Sequence, residues 1–171
     1  MVLATSKNDH VTARTMSFII CDKKFYFQTE LTLTKAEQIE ANQNVAVCYN
    51  NFQIEGTCRE VGHPCEPKNK FFLDLFQRHF AGSYQAYSHL DNERVYEVTP
   101  LKITVWDYDE GKPYRDYFDF EKKAYWREYY HAVSVSTSHR ELTPKIQRDY
   151  NRMGYPKNIE RRGQHHEDSM E

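Results

Sequence analysis

Two cations, Arg14 and Lys35, stand where a phosphate group could be held. Arg14 lies on a predicted strand beside Thr15 and Ser17, and Lys35 follows Thr34 at the start of a predicted helix. A helix N-terminus presents backbone N–H groups and the positive end of its dipole, both of which favour an anion. An Arg fork, a Lys point charge and hydroxyl groups are suited to a phosphate monoester. Either cation alone is typical of a solvated surface, so it is their joint placement that predicts an anion site.

The elements that must position these cations are strands followed by a short helix. Apolar and β-branched runs predict strands over MVLATS, TARTMSFIICD and KFYFQTEL, the last two joined as a hairpin. Thr34 and Glu37 have the spacing of a capping box, which predicts a helix over KAEQIEAN. VAVCYN and FQIEGTCREV then predict a second hairpin that turns at Asn50 and Asn51.

The second half of the chain adds one helix and further strands. Phe72, Leu75, Phe76 and Phe80 recur at helical spacing within KNKFFLDLFQRHF. RVYEVTPLKITVWDYD predicts one long strand bent at Pro100, or two strands, and another helix is predicted near Pro144 to Arg152. This order predicts a mainly β, antiparallel barrel with peripheral helices over residues 1–155. Residues 156–171 are polar and predict a disordered C-terminal tail.

Composition narrows the classes of partner. The formal net charge is −2, so no overall positive field attracts nucleic acid or an anionic membrane. No apolar run approaches the ~18 residues that span a bilayer. The four cysteines form no C-x-x-C pair, and His63-Pro64-Cys65 has no second ligand pair, so no metal site is predicted. We therefore expect a cytoplasmic protein with a local anion site.

Four segments together resemble the pyridoxamine 5′-phosphate oxidase-like flavoproteins. They are A-R-T-M, Y-F-Q-T, T-K-A-E-Q-I-E-A-N-Q-N-V-A-V and Q-I-E-G, all within the first sixty residues, and a looser match runs from Tyr96 to Trp126. The resemblance implies a split β-barrel of the antiparallel Greek-key type with peripheral helices. It also implies bound FMN and a homodimer with the flavin at the subunit interface.

The resemblance assigns the FMN phosphate to Arg14, Thr29, Thr34 and Lys35. Members of the family often have Arg or Ser where Thr34 stands. The strand from Arg14 through Thr15, Met16 and Ser17 would run along the flavin and its ribityl chain, and Gln28 would lie at the ribityl region. Asn51 and Trp106 would contact the flavin ring. Trp106, in I-T-V-W, would reach the flavin of the other subunit, although a strand Trp is equally typical of a core or an interface.

The sequence departs from the family's pattern in the segment that would contact the substrate. Vitamin B6 oxidases follow that Trp with R-L-H-D-R-F, whereas this chain has PYRDYFDF, which lacks the His and supplies one cation, Arg115. A phosphorylated pyridoxine needs paired donors, so we do not expect vitamin B6 oxidation. The predicted activity is FMN-dependent oxidation and reduction with NAD(P)H or a small planar substrate, and the sequence identifies no catalytic residue.

Two alternatives remain open from the sequence. The same phosphate grip would serve a protein that stores flavin or senses it without turnover. A haem-binding relative of the split barrel would need an axial ligand, for which the candidates are His10, His63, His79, His89, His131 and His139.

Overall fold

The computed structural model describes residues 1–130 and the backbone of residues 135–141. Within these residues ten strands form one antiparallel sheet in the order β10-β9-β8-β7-β6-β5-β1-β2, and β4, which also pairs with β3, joins it through β7. The strands are β1 (Val2–Lys7), β2 (His10–Thr15), β3 (Ile19–Cys21), β4 (Lys24–Glu30), β5 (Asn44–Tyr49), β6 (Phe52–Gly62), β7 (Glu93–Asp109), β8 (Lys112–Asp119), β9 (Ala124–Tyr130) and β10 (Val135–Glu141). The predicted helix at 144–152 and the tail at 156–171 lie outside the described residues.

The long strand β7 organises the sheet. Its 17 residues pair with β6 along most of their length, with β4 at the start and with β8 at the end. Pro100 does not divide the strand, because the ladder shifts register opposite it, between Glu55 and Gly56. A Cβ on Gly56 would lie 2.5 Å from the carbonyl oxygen of Thr99, so this bulge requires glycine.

Tight turns with positive φ decide how the first strands pair. Asn8 and Asp9, and again Asp22 and Lys23, have φ between 48° and 64°, which is the type I′ geometry of two-residue hairpins. The predicted single strand TARTMSFIICD is therefore wrong. Its first part is β2 and pairs with β1, and its second part is β3 and pairs with β4. Arg14 thus lies next to the end of β2.

The barrel interior is filled by side chains that alternate along the strands. Leu3, Phe25, Phe27, Val47 and Val98 have no measurable exposure. Helix α1 (Thr34–Ala41) covers this interior with the side chains of Ala36 and Ile39. The helix at the predicted phosphate site is therefore anchored by its own apolar face.

Two further helices pack on the outer face of the sheet. A 3₁₀ turn (Pro67–Asn69) leads into α2 (Lys70–His79), which is followed by α3 (Ala81–Tyr87). The predicted apolar stripe is confirmed, because Phe72 and Phe76 are buried against Ile19, Tyr26 and Val95. The separate helix α3 was not predicted.

Candidate functional site

The Arg14 side chain is held over the β1–β2 hairpin by neutral oxygen atoms. Its Nη1 donates to the carbonyl oxygen of Leu3 at 3.2 Å and to Oγ1 of Thr5 at 2.7 Å, and its Nη2 donates to Oγ1 of Thr12. Within residues 1–130 no carboxylate forms an ion pair with this guanidinium. Burial lowers the pKa of Arg14, as expected for a cation partly removed from water without a counter-charge.

Gln38 connects this hairpin to helix α1. Its Oε1 accepts hydrogen bonds from Thr5 at 2.5 Å and from Thr12 at 2.7 Å, and its Nε2 donates to the carbonyl oxygen of His10 at 3.1 Å. Gln38 is 2% exposed. A buried amide that satisfies its hydrogen bonds across two elements fixes their relative position, so α1 and Arg14 form one unit.

The N-terminus of α1 leaves two backbone donors unused. The helix begins at Thr34 after Leu33, which provides no side-chain cap, and the amides of Ala36 and Glu37 both donate to the Leu33 carbonyl. Within the described residues the amides of Thr34 and Lys35 have no acceptor. The predicted capping box is wrong, because the Glu37 carboxylate pairs with Lys7 Nζ at 2.6 Å instead. The first turn therefore presents free N–H groups and the Thr34 hydroxyl.

Arg14 lies close enough to Lys35 to perturb the pKa of that lysine. Burial lowers the pKa of Lys35, and the positive charge of Arg14 lowers it further, whereas Glu93 and Glu30 act in the opposite direction. No carboxylate in residues 1–130 lies within ion-pair distance of Lys35 Nζ. Holding two like charges together at a half-buried helix start is unfavourable unless an anion joins them. This cation pair, Arg14 with Lys35, fits a phosphate group.

Gln28 and Thr29, both buried, lie on opposite faces of β4. Thr29 shares its face with Phe27, toward the barrel interior and α1, whereas Gln28 shares its face with Tyr26, toward α2. Gln28 Oε1 accepts a hydrogen bond from Ser88 at 2.7 Å. The two side chains predicted to meet the cofactor therefore point in different directions, and only Thr29 faces the side on which α1 packs.

The segment after Arg14 connects β2 to β3. Thr15 is exposed, and Met16 and Ser17 are half-buried. The backbone of Met16 exchanges hydrogen bonds with Met1, at 2.8 Å and 3.1 Å. These three predicted residues thus continue the surface that begins at Arg14, with their backbone held by the N-terminal residue.

Asn51 and Trp106 lie together in a different place. Asn51 Nδ2 donates to the Trp106 carbonyl oxygen at 2.6 Å, and the Trp106 amide donates back to the Asn51 carbonyl at 3.0 Å. Both line a groove of about 620 Å³ that runs from the end of β5 and the β5–β6 turn across β6, β7 and β8, called here the Trp106 groove. In the sheet β7 is four strands from β2. No hydrogen bond, ion pair or ring contact within residues 1–130 joins this groove to the cation pair.

The Trp106 groove has a wall of aromatic rings and cations. The Arg115 guanidinium lies 5.1 Å from the ring centroids of both Trp106 and Tyr130. Tyr117 stacks on Trp126 at 4.8 Å, and Lys102 Nζ lies 5.2 Å from the Tyr117 ring. Such a wall suits a planar ligand. The sequence PYRDYFDF, which departs from the vitamin B6 oxidases, forms β8 in this wall.

Residues 1–107 match the family model described as pyridoxamine 5′-phosphate oxidase. The chain belongs to the pyridoxamine 5′-phosphate oxidase family. The predicted resemblance is thereby confirmed, and so is the mainly β split-barrel fold with peripheral helices. No curated protein matches the sequence.

Two solved structures of low sequence identity, HutZ and ChuZ, share the fold. HutZ, the haem storage protein of Vibrio cholerae, is 12% identical over 61% of this chain and 83% of its own, with a TM-score of 0.54. ChuZ of Campylobacter jejuni is 9% identical over 70% of this chain and 54% of its own, with a TM-score of 0.57. A pyridoxamine 5′-phosphate oxidase-related, FMN-binding protein of Nostoc punctiforme is 13% identical over 82% of this chain and 87% of its own, with a TM-score of 0.48.

In the part of the chain that the structure describes, no helix has the length and apolar character needed to traverse a bilayer. The same residues contain no cluster of three or more His, Cys, Asp or Glu side chains arranged to hold a metal ion.

Proposed function

We propose that this member of the family binds FMN through the cation pair. Arg14 and Lys35 would hold the phosphate oxygens, and the hydroxyl and amide of Thr34 would add hydrogen bonds. The observation that carries the proposal is the juxtaposition of two half-buried cations at a helix start, where residues 1–130 supply neither an ion-paired carboxylate nor an acceptor for the first N–H groups. A phosphate monoester supplies the missing negative charge and the missing acceptors in one group.

We further propose that a second copy of the chain completes the binding site for the flavin ring. The Trp106 groove holds the remaining predicted contacts, Asn51 and Trp106, yet within residues 1–130 no hydrogen bond, ion pair or ring contact joins it to the cation pair. A homodimer that places the Trp106 groove of one protomer opposite the cation pair of the other would bring both sets to one cofactor. The aromatic wall of that groove suits the planar isoalloxazine.

The proposed activity is oxidation and reduction in a cytoplasmic homodimer, with NAD(P)H or a small planar substrate as the partner. Bound FMN supplies hydride and electron transfer, and the protein binds and orients it. Vitamin B6 oxidation is not proposed, because the segment PYRDYFDF offers the single cation Arg115, which already lies between the rings of Trp106 and Tyr130. A substrate phosphate would need to draw that cation away from both rings.

The test is reconstitution of the purified full-length chain with FMN, followed by desalting and an absorbance spectrum. Retained flavin bands, with FMN identified by mass after release, are the expected result. A chain that retains no flavin would overturn the proposal. Anaerobic addition of NADH and of NADPH then tests for an NAD(P)H-dependent reductase, because a store or sensor leaves the flavin oxidised with both donors. No bleaching with either donor would overturn the reductase activity.

Haem is the second cofactor to test, since HutZ, of similar fold, is a haem storage protein. Among the described histidines, His63 has both ring nitrogens engaged, one by the amide of Cys65 at 3.1 Å and the other by the carbonyl of Leu90 at 2.9 Å. A Soret band on reconstitution with haem, together with no flavin retention, would favour the haem alternative.

A further inference from the structure

Cys65 and His89 form a thiol–imidazole contact that uses none of the residues proposed to bind flavin. Cys65 lies in the turn between β6 and the 3₁₀ turn, and His89 follows the end of α3. The Cys65 Sγ lies 3.4 Å from Nδ1 of His89, which is hydrogen-bond distance for sulfur. The His89 ring is oriented by Tyr84, which meets it edge to face with the centroids 5.1 Å apart. Both Cys65 and His89 are exposed, and an exposed thiol beside a histidine is typical of nucleophilic cysteines.

His63 joins the turn that holds Cys65 to the end of α3. In the neutral ring its Nδ1 accepts from the Cys65 amide at 3.1 Å, so its Nε2 carries the proton and donates to the Leu90 carbonyl oxygen at 2.9 Å. The adjacent Pro64 is buried, and the Asn69 side chain donates to the His63 carbonyl oxygen at 2.9 Å. Cys65 is therefore presented on an anchored turn. With both ring nitrogens engaged, His63 is not the group that accepts its proton.

The Cys65 sulfur has one partner for each of its protonation states. As a thiol it donates to the Ser88 carbonyl oxygen at 3.6 Å, and as a thiolate it can accept from Nδ1–H of His89 at 3.4 Å. The charged side chains on the same turn, Glu66 and Lys68, pair with each other at 3.0 Å. His89 is therefore the titratable side chain that contacts the sulfur, and it can take the thiol proton.

The backbone around Cys65 decides which electrophile suits it. Attack on a carbonyl group needs N–H donors for the oxyanion that develops. The amides of Cys65 and Glu66 are both used within the turn, the first on Nδ1 of His63 and the second on its carbonyl oxygen at 3.1 Å. Attack on a disulfide places the developing charge on sulfur and needs open approach to the thiolate, which an exposed turn allows. The site therefore favours thiol–disulfide exchange over acyl transfer.

We propose that Cys65, with His89 as the acceptor of its proton, is a modification site at which disulfides of low molecular mass attach to this protein. The Cys65 sulfur forms a bond to one sulfur of the disulfide, the original S–S bond breaks, and the other half leaves as a thiolate. The thiol proton passes to Nδ1 of His89 and then to the released thiolate. The disulfide is the oxidant: its released half is reduced, and Cys65 is oxidised to a mixed disulfide.

The first experiment uses the unmodified full chain, reduced and freed of reductant, with glutathione disulfide as the probe. Acid quenching at timed intervals, followed by peptide mapping by mass, gives the rate at each cysteine. At pH 7 Cys65 should be modified at least about tenfold faster than Cys48, which is also exposed. Between pH 8.5 and 6.5 its rate should fall by less than about fivefold, whereas the thiol of a small peptide in the same assay should lose about fiftyfold. A fall at Cys65 as large as that of the peptide, or faster reaction at Cys48, would overturn the proposal.

A pair of variants assigns the effect to the imidazole. His89→Gln keeps a polar group near Cys65 that cannot take its proton, so the rate at pH 6.5 should fall by about tenfold. At pH 9.5, where an exposed thiol ionises without help, the rate should fall by less than about twofold. His79→Gln, at an exposed histidine in the last turn of α2, is the matched control and should react as the unmodified chain. An unchanged rate for His89→Gln at pH 6.5 would show that His89 does not accept the proton and would contradict the proposal.

Discussion

The guanidinium of Arg14 donates a hydrogen bond to Oγ1 of Thr5 at 2.7 Å, and the same hydroxyl donates to Oε1 of Gln38 at 2.5 Å. Arg14 is thus oriented by neutral groups that connect it to helix α1, where Lys35 lies. An arginine held by neutral acceptors retains its full charge for a ligand, unlike one held by a carboxylate.

Replacing either cation should weaken the binding of FMN far more than the binding of riboflavin. Arg14→Ala and Lys35→Ala each remove a charge-assisted hydrogen bond, which is worth roughly 1.5–3 kcal/mol, or about 10- to 150-fold in Kd. Fluorescence titration with both flavins measures the difference. Lys70→Ala, at an exposed lysine paired with Asp74 on α2, is the matched control and should change neither Kd. Equal losses for FMN and riboflavin would show that the cations act through folding.

Removing Gln38 should destabilise the fold and disorder the phosphate site. Gln38→Ala leaves the hydroxyls of Thr5 and Thr12 and the carbonyl of His10 without their partner. Unsatisfied buried groups cost about 1–3 kcal/mol each, so we expect the free energy of unfolding to fall by roughly 2–4 kcal/mol. Urea denaturation measures it. Gln53→Ala, at an exposed glutamine bonded to Glu55, should change it by about 0.5 kcal/mol or less.

Replacing Trp106 should weaken the binding of FMN and of riboflavin equally, because Trp106 is proposed to contact the flavin ring and not the phosphate. Trp106→Leu removes an aromatic surface worth about 0.5–1.5 kcal/mol, which is roughly 2- to 12-fold in Kd for both flavins. Titration with each flavin, alongside sedimentation to follow the dimer, is the measurement. Tyr87→Ala, at a tyrosine 53% exposed on α3, is the control. A loss confined to FMN would contradict the placement of Trp106 at the flavin ring.

Glu93→Gln should stabilise the protein without ligand in a pH-dependent manner. The folded pKa of Glu93, about 7, is raised from 4.5, so folding disfavours the charged form and the unmodified chain loses stability as pH rises between these values. The glutamine variant avoids this loss. Its advantage should be absent near pH 4 and reach the order of 2–3 kcal/mol at pH 8. Urea unfolding at both pH values measures it, and a pH-independent difference would contradict the raised pKa.

Much of the architecture follows from local sequence patterns. The apolar runs around Phe27 and Val47 predict buried strands, and the spacing of Phe72 and Phe76 predicts the buried face of α2. These patterns are local because alternation along a strand and recurrence along a helix need only neighbouring residues. The pairing of β2 with β1, and not with β4, was not predicted. The positive φ values of Asn8 and Asp9 form the tight turn that folds β2 back onto β1, and this turn leaves only the second part of TARTMSFIICD to pair with β4.

The candidate site likewise contains residues that local sequence predicted and residues that it did not. Arg14, Thr34 and Lys35 were predicted from the sequence, since residue type and a helix start suffice to indicate an anion site. Thr5, Thr12 and Gln38, which orient Arg14, were not predicted, because their contacts join residues far apart in the chain. The placement of Gln28 beside Thr29 suggested one shared surface, whereas the alternation of β4 turns them to opposite faces.

The sequence alone indicates which chemical groups this protein can use: two cations at a helix start, an aromatic segment around Trp106 and the motifs of the pyridoxamine 5′-phosphate oxidase family. Three features follow from the folded arrangement instead: the Arg14 guanidinium rests on neutral oxygens, the Trp106 groove lies apart from the cation pair, and the Glu93 carboxyl is buried. The physical reason is that charge and residue type are properties of single positions. Burial and counter-charge depend on which distant strands the fold brings together.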